Sequence, residues 1–203
     1  MSEWDGYILE DLAIDFPPGS TVLDVGCGEG VQMAAIADQG CNVIGMDIDL
    51  ASLGRCREKG LNVFKSVGEK TPIADVSLDG IICKVVLPYT DEEKVIAEFG
   101  RILKPGGTII LISHGAGYYL SYAIRGDSLK TRFYGLRSLA NTWFRILTGQ
   151  RLPGFLGDTI YQSRSRLAKY FLSSGLELEK DLPSKELLGF PVFIYQRVVR
   201  NGR

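Results

Sequence analysis

The sequence is poor in residues that bind metals. Its 203 residues include one histidine, His114, and four cysteines. The cysteines show no Cys-x-x-Cys spacing, and zinc sites depend on closely spaced Cys and His ligands. We therefore predict no metal site. Cysteines scattered in this way are typical of reduced core residues, so we expect a cytoplasmic protein.

Long apolar runs are also missing. No stretch approaches the roughly 20 apolar residues of a membrane-spanning helix. The N-terminal segment MSEWDGYILEDLAIDF is acidic and lacks the apolar core of a signal peptide. We therefore expect any contact with a membrane to be peripheral.

Net charge is almost absent, at −1, but the charges are unevenly distributed. Residues 1–117 carry nine Lys and Arg against 18 Asp and Glu, whereas residues 118–169 carry nine against two. Hydrophobic content of 45% and charged content of 23% are typical of a folded globular chain. The length predicts a single domain over 1–203, with a basic segment that needs an explanation.

Strand-like and helix-like patterns alternate along the first part of the chain. Such alternation predicts a mostly parallel sheet with helices on both faces. The predicted strands are 21–25, 41–49, 61–66, 78–86 and 108–113, and the helices between them are 29–40, 51–60 and 91–104.

The C-terminal part has a different pattern. A helix over 164–175 precedes two strands, 176–182 and 191–199, joined by a short connection with Pro183 and Gly189. A short connection with turn residues predicts that these strands pair as an antiparallel hairpin. The sheet would then have seven strands.

The excess segment 115–162, after the fifth strand, is predicted to form a helical insertion or lid. Its stretch KTRFYGLRSLANTWFRILTG has helical periodicity, and Arg137, Asn141 and Arg145 lie on one side. The helix is expected to stand over the carboxyl edge of the sheet, with its apolar stripe packed in the core and its arginines in solvent. The stripe comprises Phe133, Leu136, Leu139, Ala140, Trp143, Phe144 and Leu147.

The loop TVLDVGCGEG raises the question of its ligand. Glycine loops after a strand commonly cradle phosphate, but Asp24 and Glu29 would repel an anion. Asp47 ends the second strand at the same edge, where an acid suits the two hydroxyls of a ribose. These residues predict a positively charged ligand that contains a ribose.

Four stretches in this order, VLDVGCGEG, GMDID, SLDGIICKVVLPYT and LKPGGTIILIS, resemble the motif series of class I S-adenosylmethionine-dependent methyltransferases. The small-molecule type of methyltransferase domain is the most similar variety. The resemblance covers about 20–113 strongly and the hairpin in outline. It implies a Rossmann-like fold, S-adenosylmethionine as the cofactor and methyl transfer as the activity.

The resemblance also implies roles for individual residues. Asp24 would face the amino-acid group of the cofactor, and Asp47 would bind the ribose hydroxyls. Val67 stands where the family often has an acid that accepts from the adenine amino group. The other implied cofactor-binding residues are Gly26, Cys27 and Gly28 at the methionine moiety, Ile48, Gly68 and Glu69 around adenine, and Lys84 and Val85 at the end of the fourth strand.

Two residues are catalytic candidates. His114 follows the fifth strand and is the best base by chemistry, although a hydrogen-bonded turn residue is the alternative. Tyr89 falls where the family's fourth-strand loop reaches the acceptor, where it would orient the substrate or pack. Trp4 and Tyr7 are further candidates for closing the pocket from the N-terminal side.

The basic segment 118–169 leaves the acceptor open. A small acidic molecule or glycan, a lipid-like molecule at an anionic membrane, and RNA would all suit basic and aromatic residues. We expect a small, acidic or lipid-like acceptor, and nucleic acid is the least favoured because the sequence pI is about 5.9 and no added RNA-binding module is evident. Two alternatives are a non-catalytic S-adenosylmethionine-binding module and an NAD-dependent oxidoreductase. The latter would require Gly-x-Gly-x-x-Gly, but Val31 takes the last position.

Overall fold

A computed structural model describes residues 14–202, so the candidates Trp4 and Tyr7 lie outside the described part. Seven strands form one sheet in the order β3-β2-β1-β4-β5-β9-β6. Every neighbouring pair from β3 to β5 is parallel, and β9 is antiparallel to both β5 and β6. The strands are β1 (Thr21–Val25), β2 (Asn42–Asp47), β3 (Val63–Lys65), β4 (Leu78–Lys84), β5 (Leu103–His114), β6 (Leu176–Leu182) and β9 (Phe193–Arg200).

The predicted fold class is confirmed, including the antiparallel pairing of the last two long strands. Their connection contains a small ribbon, β7 (Glu186–Leu187) with β8 (Phe190–Pro191), which the sequence did not indicate. The helices are α1 (Val31–Ala37), α2 (Leu50–Glu58), α3 (Glu92–Ile102), α4 (Ala116–Arg125), α5 (Leu129–Thr148) and α6 (Arg164–Ser173). Short 3₁₀ turns occur at Leu87–Tyr89 and Gly154–Gly157.

The sheet has a hydrophobic core on each face. Alternate residues of a strand point to opposite faces, so Leu23 and Val25 of β1 join one core and Val22 joins the other. The continuous apolar run of β5 supplies both cores, as expected for a strand buried on both sides. This packing fixes the carboxyl ends of β1, β2 and β4 side by side, where the candidate site lies.

The insertion after β5 contains two helices. The sequence predicted α5 but not α4, and the two pack so closely that a Cβ on Gly135 would overlap the backbone of Tyr119 and Ala123. Small residues at a crossing let helix backbones approach in this way. The role of this insertion as a lid stays a prediction.

The expected orientation of α5 is wrong. The stripe residues Phe133, Leu136, Trp143 and Leu147 are exposed, whereas the opposite face, which includes Asn141, is buried. The physical reason is that the segment after α5 covers the polar face and hydrogen-bonds to it. Periodicity shows which residues share a face but does not show which face is covered.

Within residues 14–202, no helix combines the length and the apolar character needed to cross a bilayer.

Candidate donor site

A cleft of about 360 Å³ opens where β1, β2 and β4 end. Open α/β sheets bind ligands at this carboxyl edge because the loops diverge there. The cleft is lined by Val25, Gly26, Met46, Asp47, Ile48, Ser66, Val67, Gly68, Glu69, Lys84, Val85, Val86, Tyr89 and Thr90. The structure thus brings eight of the predicted site residues together, namely Gly26, Asp47, Ile48, Gly68, Glu69, Lys84, Val85 and Tyr89.

The glycine loop approaches the cleft with bare backbone. Gly26 has a φ of 72°, and a Cβ at this position would overlap the side chain of Val86. Both constraints favour glycine. The amide of Gly28 donates to Oδ2 of Asp47 at 2.9 Å, so the loop is tied to the end of β2.

Asp24 has a buried carboxyl group with an oxygen that accepts no hydrogen bond. It is 3% exposed, and its Oδ2 has no hydrogen-bond partner among the described residues. Burial, together with the nearby charge of Asp47, raises the pKa of Asp24 to about 7, and Lys84 acts in the opposite direction. A positive ligand group would relieve this unfavourable state. Asp24 does not itself line the cleft, but it directly precedes Val25 and Gly26, which do, so its unpartnered carboxyl group is compatible with a cationic ligand there.

Asp47 is held in place by the backbone on both sides. Its Oδ1 accepts from the amide of Asp49 at 2.9 Å, and its Oδ2 accepts from Gly28. Each carboxylate oxygen can accept more than one hydrogen bond, so both oxygens retain capacity for the hydroxyls of a ribose. The geometry fits the predicted role.

The wall opposite the glycine loop comes from the segment after β3. Gly68 packs against Val95, where a Cβ would come within 3.2 Å of that side chain. Glu69 is engaged, because its Oε1 accepts from the amide of Asp91 at 2.9 Å. Ile48 and Val67 expose apolar surface to the cleft, at 66% and 52%. These two side chains can flank a planar base.

Val85 follows β4 in an unusual conformation. Its φ is 59°, a region that β-branched residues rarely adopt and that costs about 1–3 kcal/mol. Its amide donates to the carbonyl of Ile112 at 2.7 Å, which holds the turn in place. Backbone strain at a cleft wall is typical of functional sites.

Cys27 belongs to the loop, but its side chain does not line the cleft. It packs in a core cluster with Met33, Leu53 and Cys56. Burial raises the pKa of the Cys27 thiol to about 12. Only the backbone of Cys27 is therefore available to a ligand. The sequence motif did not show this, because the φ angles of the loop decide which way the side chain turns.

Tyr89 stands at the rim of the cleft, 55% exposed. Partial burial, together with the neighbouring Tyr134 of α5, raises the pKa of Tyr89 above its usual value. The phenol is therefore neutral at physiological pH and able to donate. Tyr89 connects the donor cleft with the inserted helices.

His114 is placed at the end of β5, as predicted, but outside the cleft lining. Its ring stacks on Tyr118 with a centroid separation of 3.6 Å and contacts Tyr119 and Phe193 edge-on. Burial lowers the pKa of His114 to about 3, and its Nδ1 has no partner among the described residues. An imidazole with this pKa is a weak base, so it does not suit general-base catalysis. Its ring is also packed among aromatic side chains and does not line the cleft.

Sequence reasoning missed several cleft residues. Ser66 directly follows β3, and Thr90 directly follows the 3₁₀ turn. Met46 and Val86 lie within the stretches GMDID and SLDGIICKVVLPYT but were assigned no role. Ser66 was the last residue of a predicted strand, and its position at the carboxyl edge was the available signal. Thr90 ends the stretch SLDGIICKVVLPYT but was assigned no role, and it reaches the cleft through the turn at Leu87–Tyr89.

A second cavity of about 550 Å³ lies beside α4. It shares no lining residue with the first cleft. Tyr118 and Tyr122 form an aromatic part of its wall, and their hydroxyls lie 3.1 Å apart. Arg125 and Lys185 contribute positive charge, and Asp127 and Glu186 contribute negative charge.

Most arginines of the basic segment form ion pairs or hydrogen bonds with other parts of the protein. We expected them to be solvated instead. Five of them bind acids or carbonyls of neighbouring elements, which removes them from any role as free ligand-binding cations. Arg137 pairs with Asp158 at 3.3 Å, Arg145 with Asp91 at 3.6 Å, Arg164 with Asp181 at 2.6 Å and Arg166 with buried Glu92 at 2.6 Å, and Arg151 donates to the carbonyl of Thr90.

Comparison with known proteins supports this picture. Residues 23–111 match the family model described as a methyltransferase domain. The chain is 32% identical over 111 residues to a demethylmenaquinone methyltransferase of Renibacterium salmoninarum, covering 53% of this chain and 46% of that relative. It is 32% identical over 148 residues to a ubiquinone biosynthesis O-methyltransferase of Hahella chejuensis, covering 63% and 62%. The chain thus spans about half to three-fifths of the length of these relatives.

The solved structures agree on the fold. A crystal structure of a SAM-dependent methyltransferase from Methanosarcina mazei superposes with a TM-score of 0.67 at 18% identity, covering 93% of this chain and 95% of that one. The sheet order, the matched domain and the motif residues gathered in one cleft have a single common explanation. Residues 23–111 are similar to a methyltransferase domain, and the chain has the fold of the solved S-adenosylmethionine-dependent methyltransferases.

Proposed function

We propose that the protein transfers the methyl group of S-adenosylmethionine to a small, lipid-like or acidic acceptor. The observation that carries the proposal is the buried carboxyl group of Asp24, whose Oδ2 accepts no hydrogen bond from the described residues. It lies next to the glycine loop, which is tied to Asp47 through the amide of Gly28. The cofactor would supply a sulfonium methyl group, whose carbon the acceptor nucleophile attacks in line, and neutral S-adenosylhomocysteine would leave with the electron pair of the broken C–S bond. Asp24 would stabilise the ammonium group of the donor, and Asp47 would bind its ribose hydroxyls.

The remaining cleft residues would orient the donor and exclude water. Ile48 and Val67 would enclose the adenine, with the backbone at Gly68 and the side chain of Glu69 beside it. Val85 and Lys84 would border the methionine side. Alignment of the two reactants is the main requirement of an in-line displacement, so the rigidity of these turns matters more than a strong base.

We propose that the acceptor enters over Tyr89, whose neutral phenol can donate a hydrogen bond to it. His114, stacked on Tyr118, would act indirectly by fixing the aromatic wall beside the second cavity. Two relatives carry names that refer to demethylmenaquinone and to ubiquinone biosynthesis, which favours a lipid-like aromatic acceptor. A peripheral contact between the segment 118–169 and a membrane belongs to this proposal, because such acceptors partition into bilayers.

The test has two stages. Calorimetry with S-adenosylmethionine, S-adenosylhomocysteine and NAD should show binding of the first two and none of NAD. Methyl-labelled S-adenosylmethionine should then label the lipid or acidic small-molecule fraction of a cell extract, and Tyr89→Phe should lower kcat more than it changes donor affinity. Binding of NAD alone, or label only in RNA, would overturn the proposal.

A further inference from the structure

The outer face of α5 is unusual for a folded chain. We define this outer face as Leu129, Phe133, Leu136, Ala140, Trp143 and Leu147, which recur at alternating spacings of four and three residues. All six are exposed, the five large ones by between 49% for Phe133 and 86% for Leu129. With 20 residues, α5 extends the stripe over about 30 Å. Contiguous apolar surfaces of this kind mark interaction sites.

The rotation of α5 is fixed by its opposite face. Asn141 donates to the carbonyl of Thr159 and accepts from the amide of Leu152, both at 2.8 Å. Ser138 and Thr159 share a hydrogen bond of 2.6 Å between their hydroxyls, and Thr142 accepts from the amide of Tyr161. Because this polar face is saturated by the following segment, the helix has no means of turning its apolar side inward.

The apolar surface continues beyond the helix. Phe155, in the 3₁₀ turn Gly154–Gly157, is 63% exposed, and its ring centroid lies 6.3 Å from that of Phe133. The guanidinium of Arg137 lies over the Phe155 ring at 5.4 Å, so the ring is held rather than free. Two elements thus contribute to one surface.

Charge selects the occupant. Helix α5 contains no Asp or Glu, and Lys130 and Arg132 lie near its beginning, with Arg125 just before it. The Nε of Arg132 donates to the carbonyl of Gly126 at 2.9 Å, but unlike Arg151 this side chain remains exposed. The nearby acid Asp127 accepts from the hydroxyl of Thr131 at 3.1 Å. An apolar stripe with tryptophan and basic flanks suits an anionic bilayer surface.

We propose that the outer face of α5 is a membrane-docking surface that lies flat on an anionic bilayer. The six side chains enter the boundary between headgroups and acyl chains, and Lys130, Arg132 and Arg125 contact lipid phosphates. The purpose of this surface rests on the proposed function, because a lipid-like acceptor is reached from the bilayer. Its geometry is independent of that function.

Docking would bring the donor cleft close to the bilayer. Arg145 pairs with Asp91, Arg151 donates to the carbonyl of Thr90, and Tyr134 contacts Tyr89. All three partners belong to the segment that forms the rim of the cleft or adjoins it. The surface and the cleft are therefore parts of one packed unit.

The first experiment measures insertion. The chain has two tryptophans, so Trp4→Phe leaves Trp143 as the only one. We expect the emission of Trp143 to shift to shorter wavelength with vesicles that contain phosphatidylglycerol, and brominated acyl chains to quench it. No shift and no quenching would overturn the proposal.

The second experiment uses matched variants in vesicle co-sedimentation. Leu136→Ser and Leu147→Ser should lower partitioning at least tenfold, whereas Leu172→Ser, on the equally exposed side of α6, should leave it unchanged. The double variant Lys130→Glu with Arg132→Glu should abolish the preference for anionic over neutral lipid, and Lys169→Glu serves as its control. Equal loss in all variants would overturn the proposal.

The third experiment separates the two rival explanations. Sedimentation velocity should show a monomer for the wild type at micromolar concentration, and a dimer broken by Leu136→Ser would assign the face to a second copy instead. Vesicle binding requires no donor, so calorimetry with S-adenosylhomocysteine tests the proposed function independently. Loss of donor binding with intact vesicle binding would remove the function and leave the surface.

Discussion

Asp24 makes a pH dependence of donor binding measurable. Its pKa is raised to about 7 in the free protein, chiefly by burial, and a cation binds the ionised form better. Binding therefore lowers this pKa and releases a proton, so affinity rises as pH increases through 7. Between pH 6.0 and 7.5, calorimetry with S-adenosylmethionine should show an increase of about eightfold.

Asp24→Asn is the control for this titration. It cannot ionise, so its affinity should be low and nearly flat over the same range. The free wild-type protein should also lose stability relative to this variant as pH rises from about 4 to about 7, because the folded state keeps the carboxyl proton over this range and the unfolded state does not. The same pH slope in both proteins would contradict the role of Asp24.

Val85 tests whether backbone strain serves the site. Val85→Gly should relieve an unfavourable φ and raise Tm by about 2–4 °C, which corresponds to about 1 kcal/mol. It should also weaken donor binding several-fold, because the cleft wall loses its fixed conformation. Val76 offers a matched control with a φ of 54° outside the cleft. Val76→Gly should raise Tm equally in thermal unfolding and leave donor affinity unchanged.

Individual residues also show where sequence reasoning succeeds. Gly26, Asp47 and Lys84 could be placed because parallel strands bring their carboxyl ends to one edge. The side chain of Cys27 could not, since the loop's φ angles turn it into the core. His114 ends β5, close to its expected position, but its ring is covered by Tyr118 of α4, a helix that the sequence did not predict.

At the scale of elements, α5 shows what periodicity leaves undetermined. The apolar stripe was predicted residue by residue, but its exposure depends on the segment 152–161, which supplies partners to the polar face. Apolar residues are usually covered, and here hydrogen bonding to a neighbouring segment prevails. The strands needed no such partner, because the alternation of strands and helices predicts a mostly parallel sheet with helices on both faces.

This inversion predicts an inverted stability pattern. Asn141→Ala leaves the carbonyl of Thr159 and the amide of Leu152 buried without partners, which should cost roughly 2–4 kcal/mol. Leu136→Ala on the outer face should change the free energy of unfolding by less than about 0.5 kcal/mol. Urea denaturation of both variants checks the pair. Comparable losses would show that α5 buries its apolar side.

At the scale of the whole molecule, an acidic body that contains the donor cleft adjoins a basic insertion, and the net charge of −1 conceals this division. The two parts meet where Arg145 pairs with Asp91 and Arg151 binds the carbonyl of Thr90. A membrane that orders α5 would order this junction as well. The protein would then lose less conformational freedom when S-adenosylmethionine binds.

We therefore predict coupling between the bilayer and the donor. Vesicles containing phosphatidylglycerol should tighten S-adenosylhomocysteine binding several-fold, measured by equilibrium dialysis. Because linkage is reciprocal, the ligand should tighten vesicle partitioning by the same factor. Arg151→Gln should uncouple the two while each binds alone, since it removes the contact of this residue with Thr90 and leaves the outer face and Asp24 intact. Donor affinity that is the same with and without vesicles would mean that docking only locates the protein and does not prepare its site.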